Sequence, residues 1–408
     1  MKRALVFLFI ICILPLYGCS SIYANYREVE QLRVMQSMGL DRTPGGVAVT
    51  LAAAEDRSGN APLCFSGTGE SISAAIEAAR LRSVEDDLFT GHLKHILIGE
   101  EAARQSIEPY LSYICRSPDA RMDMPLFILR GATAREAMST SGNGEKGVSE
   151  ALQAAQSKLD MQLGGHVFTA AEVLRRSARS GSALICTLEY GPAAEEEPAA
   201  TSEDETDTQA AEADDSETSG SLAEESAGSE EKPAFKTVSA GSYAVIKDGK
   251  LREFIGPEAA LGVSFLTNTV GVRDLVVRDR FGAPVTLEIN SGGTRLRPLW
   301  AEDGSLRGVE IYADVSATLL ESGSSALSAV ESADYLTGQL EAAVSDQIGA
   351  VLWVARNLEA DFLGLADRIE QAAPLEYRRM DQALGPLLPT LELSIAVRGE
   401  LRHGHDMD

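Results

Sequence analysis

His92-Leu93-Lys94-His95-Ile96-Leu97-Ile98-Gly99-Glu100-Glu101-Ala102-Ala103-Arg104 changes character in the middle. His92 to Ile98 reads as a strand that stops at Gly99, and Glu100 to Arg104 starts a helix. A second helix follows from about Ile107 to Arg116, so that Pro109 falls in a first turn, where its missing N–H is tolerated. Upstream, Val47 to Ala52 is an apolar strand. Ser71 to Arg82 is a helix with Ile72, Ala75, Ile76 and Ala79 on one face, and Arg80 and Arg82 lie near its C-terminal end, where the dipole favours cations. Downstream, Met124 to Leu129 is another strand. Thr133 with Glu136, and Thr169 with Glu172, have the spacing of a capping box, the second with Phe168 and Val173 placed as a hydrophobic staple. Ala183 to Tyr190 closes the block as a strand, and the alternation indicates mixed α/β or α+β structure.

From Ala193 to Lys232 the composition shifts to Glu, Asp, Ser, Thr, Ala and Gly, with fifteen acidic residues and one lysine. One leucine and no aromatic residue cannot offset the entropy of ordering, so residues 193–235 read as a disordered linker or an extruded loop. Beyond it come strand-like stretches: Ser242 to Ile246, Val272 to Val277, Pro284 to Ile289, Arg295 to Leu299 and Val309 to Leu319. A long helical region then spans about Ser332 to Glu370, with Leu336, Leu340, Val344, Ile348, Val351, Leu352 and Ala355 on one stripe. Glu376 to Leu384 extends the helical character past Pro374. A closing strand alternates Leu391, Leu393, Ile395 and Val397 with Glu392, Ser394, Ala396 and Arg398. The expected class is α+β and multi-domain, with mixed and antiparallel sheets, packed helices, one long helix and a closing strand. The expected domains are 19–192 (N-terminal α/β) and 236–402 (C-terminal α+β), the latter divisible into 236–270 and 271–402, followed by a tail at 403–408.

The N-terminus carries Lys2 and Arg3, an apolar run from Ala4 to Leu14, and Pro15-Leu16-Tyr17-Gly18 before Cys19. This is the layout of a secretory signal at 1–18, and the run is too short to span a bilayer as a helix. Leu16-Tyr17-Gly18-Cys19 resembles the bacterial lipobox, which makes Cys19 the expected lipid-attachment residue; acyl chains at ~0.8 kcal/mol per buried CH₂ give stable anchoring. The remaining cysteines, Cys64, Cys115 and Cys186, are odd in number and widely spaced, so buried thiols are expected and a single bridge stays open. The formal charge of −25 over 408 residues opposes binding to nucleic acid or to anionic headgroups. Most of the excess acidity belongs to the 193–235 tract.

No G-x-S-x-G elbow, G-x-x-x-x-G-K-[ST] loop, H-E-x-x-H or C-x-x-C pair is present in the sequence. Gly142-Asn143-Gly144-Glu145-Lys146-Gly147 lacks the spacing of a phosphate loop and reads as a turn. His92 and His95, three apart on a strand, point to opposite faces and cannot share an ion. His403, His405, Asp406 and Asp408 form a terminal segment of the kind that frays. The sequence therefore assigns no catalytic, cofactor-binding or metal-binding residue.

Leu88-Phe89-Thr90-Gly91-His92-Leu93-Lys94-His95 running on to Arg104, Tyr26-Arg27-Glu28-Val29-Glu30 leading to Gly39-Leu40-Asp41, Arg116-Ser117-Pro118-Asp119-Ala120-Arg121, and Tyr243 to Leu251 carry a resemblance. Together with the long helix and terminal strand, they are similar to the spore-germination lipoproteins of the Ger(x)C family, the C subunits of germinant receptors. The chain departs from that pattern in having Ser20 to Asn25, without tryptophan, after Cys19, and in its long acidic insert. The resemblance implies a lipid-anchored, three-domain α+β protein on the outer surface of the inner spore membrane. It further implies a subunit without catalytic activity that assembles with two integral-membrane subunits, and a structural or interface role for Gly91, His92, Leu93 and Lys94. The competing expectation is a solute-binding lipoprotein of a transporter, which needs two similar lobes around a cleft; the two halves here differ.

Overall fold

A computed structural model describes residues 32–53, 64–83, 87–140, 148–161, 166–192, 236–322 and 329–402. The signal, Cys19, the acidic tract, the Gly142–Gly147 turn and the 403–408 tail lie outside the described residues.

The first sheet comprises β1 (Leu32–Thr43), β2 (Gly46–Ala53), β3 (Cys64–Gly69), β4 (Asp87–Phe89), β5 (His95–Gly99), β6 (Leu126–Arg130), β7 (Ser182–Pro192), β8 (Lys236–Lys247) and β9 (Lys250–Ile255). Their spatial order is β3-β2-β1-β5-β6-β7-β8-β9, with β4 beside the start of β1. β1, β5, β6 and β7 run parallel, and antiparallel pairs flank them on both sides. The parallel strands are apolar and buried on both faces, as sheets covered by helices require. Gly39 and Asp41 of β1 face α4 (Ala134–Thr140), and Ser37 hydrogen-bonds Ser149 of α5 (Val148–Met161) at 2.9 Å. On the opposite face, Gly67 of β3 lies against the backbone of α1 (Ile72–Arg82), where a Cβ would overlap the Ala75 carbonyl. α1 matches the sequence expectation in burying Ile72, Ala75, Ile76 and Ala79, and the structure adds Ser71 as its cap.

Three boundaries around the opening motif shift. β5 begins at His95, because Gly91 and His92 form a turn in which Leu93 N–H donates to the Thr90 carbonyl at 3.3 Å. α2 is Glu100–Gln105 and α3 is Glu108–Arg116. β6 begins at Leu126, since Pro125 makes only an isolated bridge with Thr169. α6 (Ala170–Ser180) starts with the complete Thr169/Glu172 capping box, and Phe168 and Val173 are both fully buried.

The placement of residues 236–255 corrects the sequence reading, which put them in the C-terminal region beyond a tract read as a linker or an extruded loop. Pro192 pairs with Lys236 and Ser182 with Lys247, so β8 returns directly alongside β7 and completes the first sheet with β9. The acidic tract thus joins two paired strands of one sheet. Composition marks a tract that cannot pack, but it does not say whether the flanking strands pair with each other.

The second sheet has the order β10 (Arg273–Arg278), β11 (Pro284–Trp300), β12 (Leu306–Ser322), β13 (Glu392–Arg402). The two strands expected at Pro284–Ile289 and Arg295–Leu299 are one strand. Ser291-Gly292-Gly293, which resembles a turn, stays in the ladder with an irregularity between Ile289 and Ser291, and Phe265 of α7 (Ala260–Thr267) occupies the space that a Gly292 side chain would need. β13 pairs parallel to β12, which a crossover through the helical region allows.

The long helical region is also interrupted. α8 (Ala329–Asn357) buries Leu336, Leu340, Val344, Ile348, Val351, Leu352 and Ala355, as the stripe requires, and then stops. Glu359 adopts φ 48° and Gly364 φ 74°, after which α9 (Leu365–Ala372) begins. Two backbone carbonyls beyond α8 are taken by cations of the first lobe: Lys247 Nζ donates to Leu358 O at 2.7 Å and Arg176 Nη1 to Phe362 O at 2.9 Å. Asp361, 1% exposed, accepts from the Leu365 and Ala366 amides at 2.8 Å each and so caps α9. α10 (Pro374–Tyr377) and α11 (Leu384–Leu387) replace the single extension expected from Glu376 to Leu384.

Candidate functional site

The parallel strands share a direction, which gives the first sheet two poles. At one pole lie the start of β1, the Thr90–Lys94 turn before β5 and the Ser117–Pro125 segment before β6. The other pole carries the β1–β2 turn, the end of β6 and the ends of β7 and β8 from which the acidic tract departs.

The turn is built by packing within it. Gly91 lies against the Phe89 ring, which a Cβ would meet at 2.7 Å, and the Phe89 ring stacks edge-on to His92 with centroids 5.5 Å apart. Leu93 is buried, and Lys94 N–H donates to Gln36 O of β1 at 2.7 Å, fixing the turn to the first strand. Thr90, also buried, donates its hydroxyl to Asp119 at 2.8 Å. This leaves the His92 and Lys94 side chains exposed on a pole whose fixed points are Gly91 and Leu93. A hollow of about 490 Å³ lies beside the turn and is lined by Gln36, His92, Lys94, His95, Arg121 and Asp123 among others. Arg121 and Asp123 pair across its rim.

His92 and His95 occupy different environments. His95 is 2% exposed, with its ring 6.3 Å from that of Phe127 and its Nδ1 without a hydrogen-bond partner among the described residues. Desolvation, opposed by a hydrogen bond with Gln156, lowers its pKa to about 4, so it is neutral at pH 7.

The other chemically active groups are engaged in the fold. Asp41 accepts from the Ala134 and Arg135 amides at 2.8 Å each and caps α4, while Glu136 N–H donates to Thr133 Oγ1 at 3.1 Å. Gly99 leaves room for that carboxylate. Glu172 closes its capping box and accepts from His166 at 2.8 Å. Burial raises its pKa, but the His166 and Thr169 hydrogen bonds outweigh this and bring it to about 2. Cys64 donates to Met138 O and is pushed up to about 11 by burial, which keeps the thiol protonated. Cys186 donates to His166 O. All three described cysteines are free, but only Cys186 is buried. Cys64 is half-buried and Cys115 is exposed, which corrects the expectation of three buried thiols. Sequence reasoning found the Thr133 cap and missed Asp41, which lies 93 residues from the Ala134 amide it caps.

No helix among the described residues is long and apolar enough to cross a membrane. Residues 25–189 match the family model described as the spore germination protein N-terminal domain. Residues 241–404 match the model described as spore germination B3/GerAC like, C-terminal. The crystal structure of the GerBC protein is similar, with a TM-score of 0.50 and 16% identity over 92% of this chain and 99% of that one. At that identity the likeness concerns the fold. No curated protein matches the chain. The division between the two family matches falls inside the β7–β8 pairing, so it is not a structural boundary.

Proposed function

The chain belongs to the spore germination GerAC-like family, the C subunits of germinant receptors, and from that premise we propose that it is a lipid-anchored, non-enzymatic subunit of such a receptor, assembling with two integral-membrane subunits. The observation that carries this reading is the pair of family matches, which together take in both lobes. The anchor is Cys19, and the protein sits on the outer face of the inner spore membrane. Twelve residues lie between Cys19 and Leu32, a tether with a reach of at most about 45 Å. The pole that carries the start of β1 also carries the exposed His92 and Lys94, so the tether delivers Gly91–Lys94 toward the membrane and the partners in it. β7 spans 11 residues, or about 35 Å, which holds the attachment points of the acidic tract at the opposite pole, away from anionic headgroups.

Spores lacking the gene and any redundant paralogue test this reading. They are expected to fail in nutrient-triggered germination, to recover with the wild-type gene, and to recover poorly with Cys19→Ala. Normal germination in the deletion strain would overturn it.

A further inference from the structure

A cleft of about 600 Å³ runs between α1 and α3 on the face of the first sheet opposite α4. β3 and β5 point the same way. Arg42, at the end of β1, lies close enough to Tyr110 near the start of α3 to influence its hydroxyl, and Arg80, near the end of α1, does the same to Tyr113 further along α3, so the cleft has two distinct ends. At one end stand Arg42, the first turn of α1 and Pro109. At the other stand Arg80, Arg116, Thr90 and Asp119, with Ile76 and Tyr113 between. Nine helical residues from Ser71 to Arg80 set the ends ~13 Å apart.

The charge at both ends is poorly compensated. Arg42 and Arg116 have no ion-pair partner among the described residues. Arg80 reaches Glu77 only at 3.9 Å and Thr90 at 3.4 Å, and its buried Nε has no hydrogen-bond partner among the described residues. A buried donor left unpaired is costly, and a ligand acceptor would remove that cost. Asp119, which accepts the Thr90 hydroxyl, and Glu70 also line the cleft, so three guanidinium groups face two carboxylates and one positive charge is left in excess. On a chain with a net charge of −25, one concave site thus gathers three arginines, a net positive lining and an apolar middle. Guanidinium groups suit the planar fork of a carboxylate.

We propose that this cleft binds an elongated organic dianion, one carboxylate held by Arg80 and Arg116, the other by Arg42 beside the first turn of α1, and an apolar chain lying on Ile76 and Tyr113. Because Thr90 both lines the cleft and begins the Thr90–Lys94 turn, an occupant touches the element displayed at the tether pole. The proposal does not depend on the receptor assignment.

The test is isothermal titration of the mature Cys19→Ala chain with linear α,ω-dicarboxylates of four to nine carbons, using the nine-carbon monocarboxylate as control. Affinity should rise about tenfold or more from the shortest to the longest dianion. Arg116→Gln, at an exposed position that should not affect folding, should weaken all the dianions; Arg42→Gln should abolish the length dependence; Arg252→Gln, on the exposed side of β9, should change neither. Absence of binding at 10 mM ligand, affinity independent of length, or equal losses from Arg116→Gln and Arg252→Gln would each overturn the proposal.

Discussion

Lowering the pH from 7 to 5 should destabilise the protein through His95, and the size of the effect follows from its surroundings. The imidazole is buried between β5 and α5, and burial lowers its pKa from 6.5 to about 4. For a base lowered in the folded state, the unfolded chain binds the proton first, so stability falls as pH drops through the window from 6.5 to 4 and is unaffected above it. At about 1.4 kcal/mol per pH unit the full gap is worth about 3 kcal/mol, of which about 2 kcal/mol develops between pH 7 and pH 5. His95→Gln removes the titration while retaining a hydrogen-bonding partner for Gln156. Urea denaturation of both proteins at the two pH values gives the comparison, and carboxylates common to both cancel in the difference. The wild type should lose about 2 kcal/mol more than the variant. An equal pH dependence in the two proteins would refute the placement of a neutral histidine at that site.

Removing the Asp41 carboxylate exposes the start of α4: Asp41→Ala should cost about 1–3 kcal/mol in chemical denaturation, and a neutral result would mean that Thr133 alone suffices as the cap. Gly67→Ala forces a Cβ into the α1 backbone and should cost about 1–3 kcal/mol or more, since overlap with a helix backbone cannot be relieved by a side-chain rotation. In native protein carrying Cys19→Ala, a maleimide should label Cys115 rapidly and Cys186 only after unfolding; fast labelling of Cys186 would contradict its burial.

Local physics was legible wherever the signal repeats within one element. The α1 and α8 stripes and the Thr169/Glu172 box all depend on spacings of three or four residues, and the structure has them in place. The readings that failed depend on partners far along the chain. Ser291-Gly292-Gly293 is turn-like in composition, yet β12 pairs along the stretch and Phe265 packs over it, which keeps it in a strand. The stop after α8 is held by Lys247 and Arg176 from the other lobe and by the Asp361 cap, none of which periodicity can reveal. His92 to Lys94 reads as strand because it runs without a break into the apolar His95–Ile98; its shape is set by Gly91 against Phe89 and by the Lys94 bond to β1. The family motif was legible as a pattern, but its division into fixed residues, Gly91 and Leu93, and displayed ones, His92 and Lys94, required the fold.

The central claim concerns the company this protein keeps, and affinity purification of the tagged chain from detergent-solubilised spore membranes tests it most directly. The expected result is co-purification of two multi-spanning membrane subunits in constant proportion to the tagged protein. Recovery of an ATPase-driven permease instead, or of the tagged chain without any integral-membrane protein, would contradict the assignment.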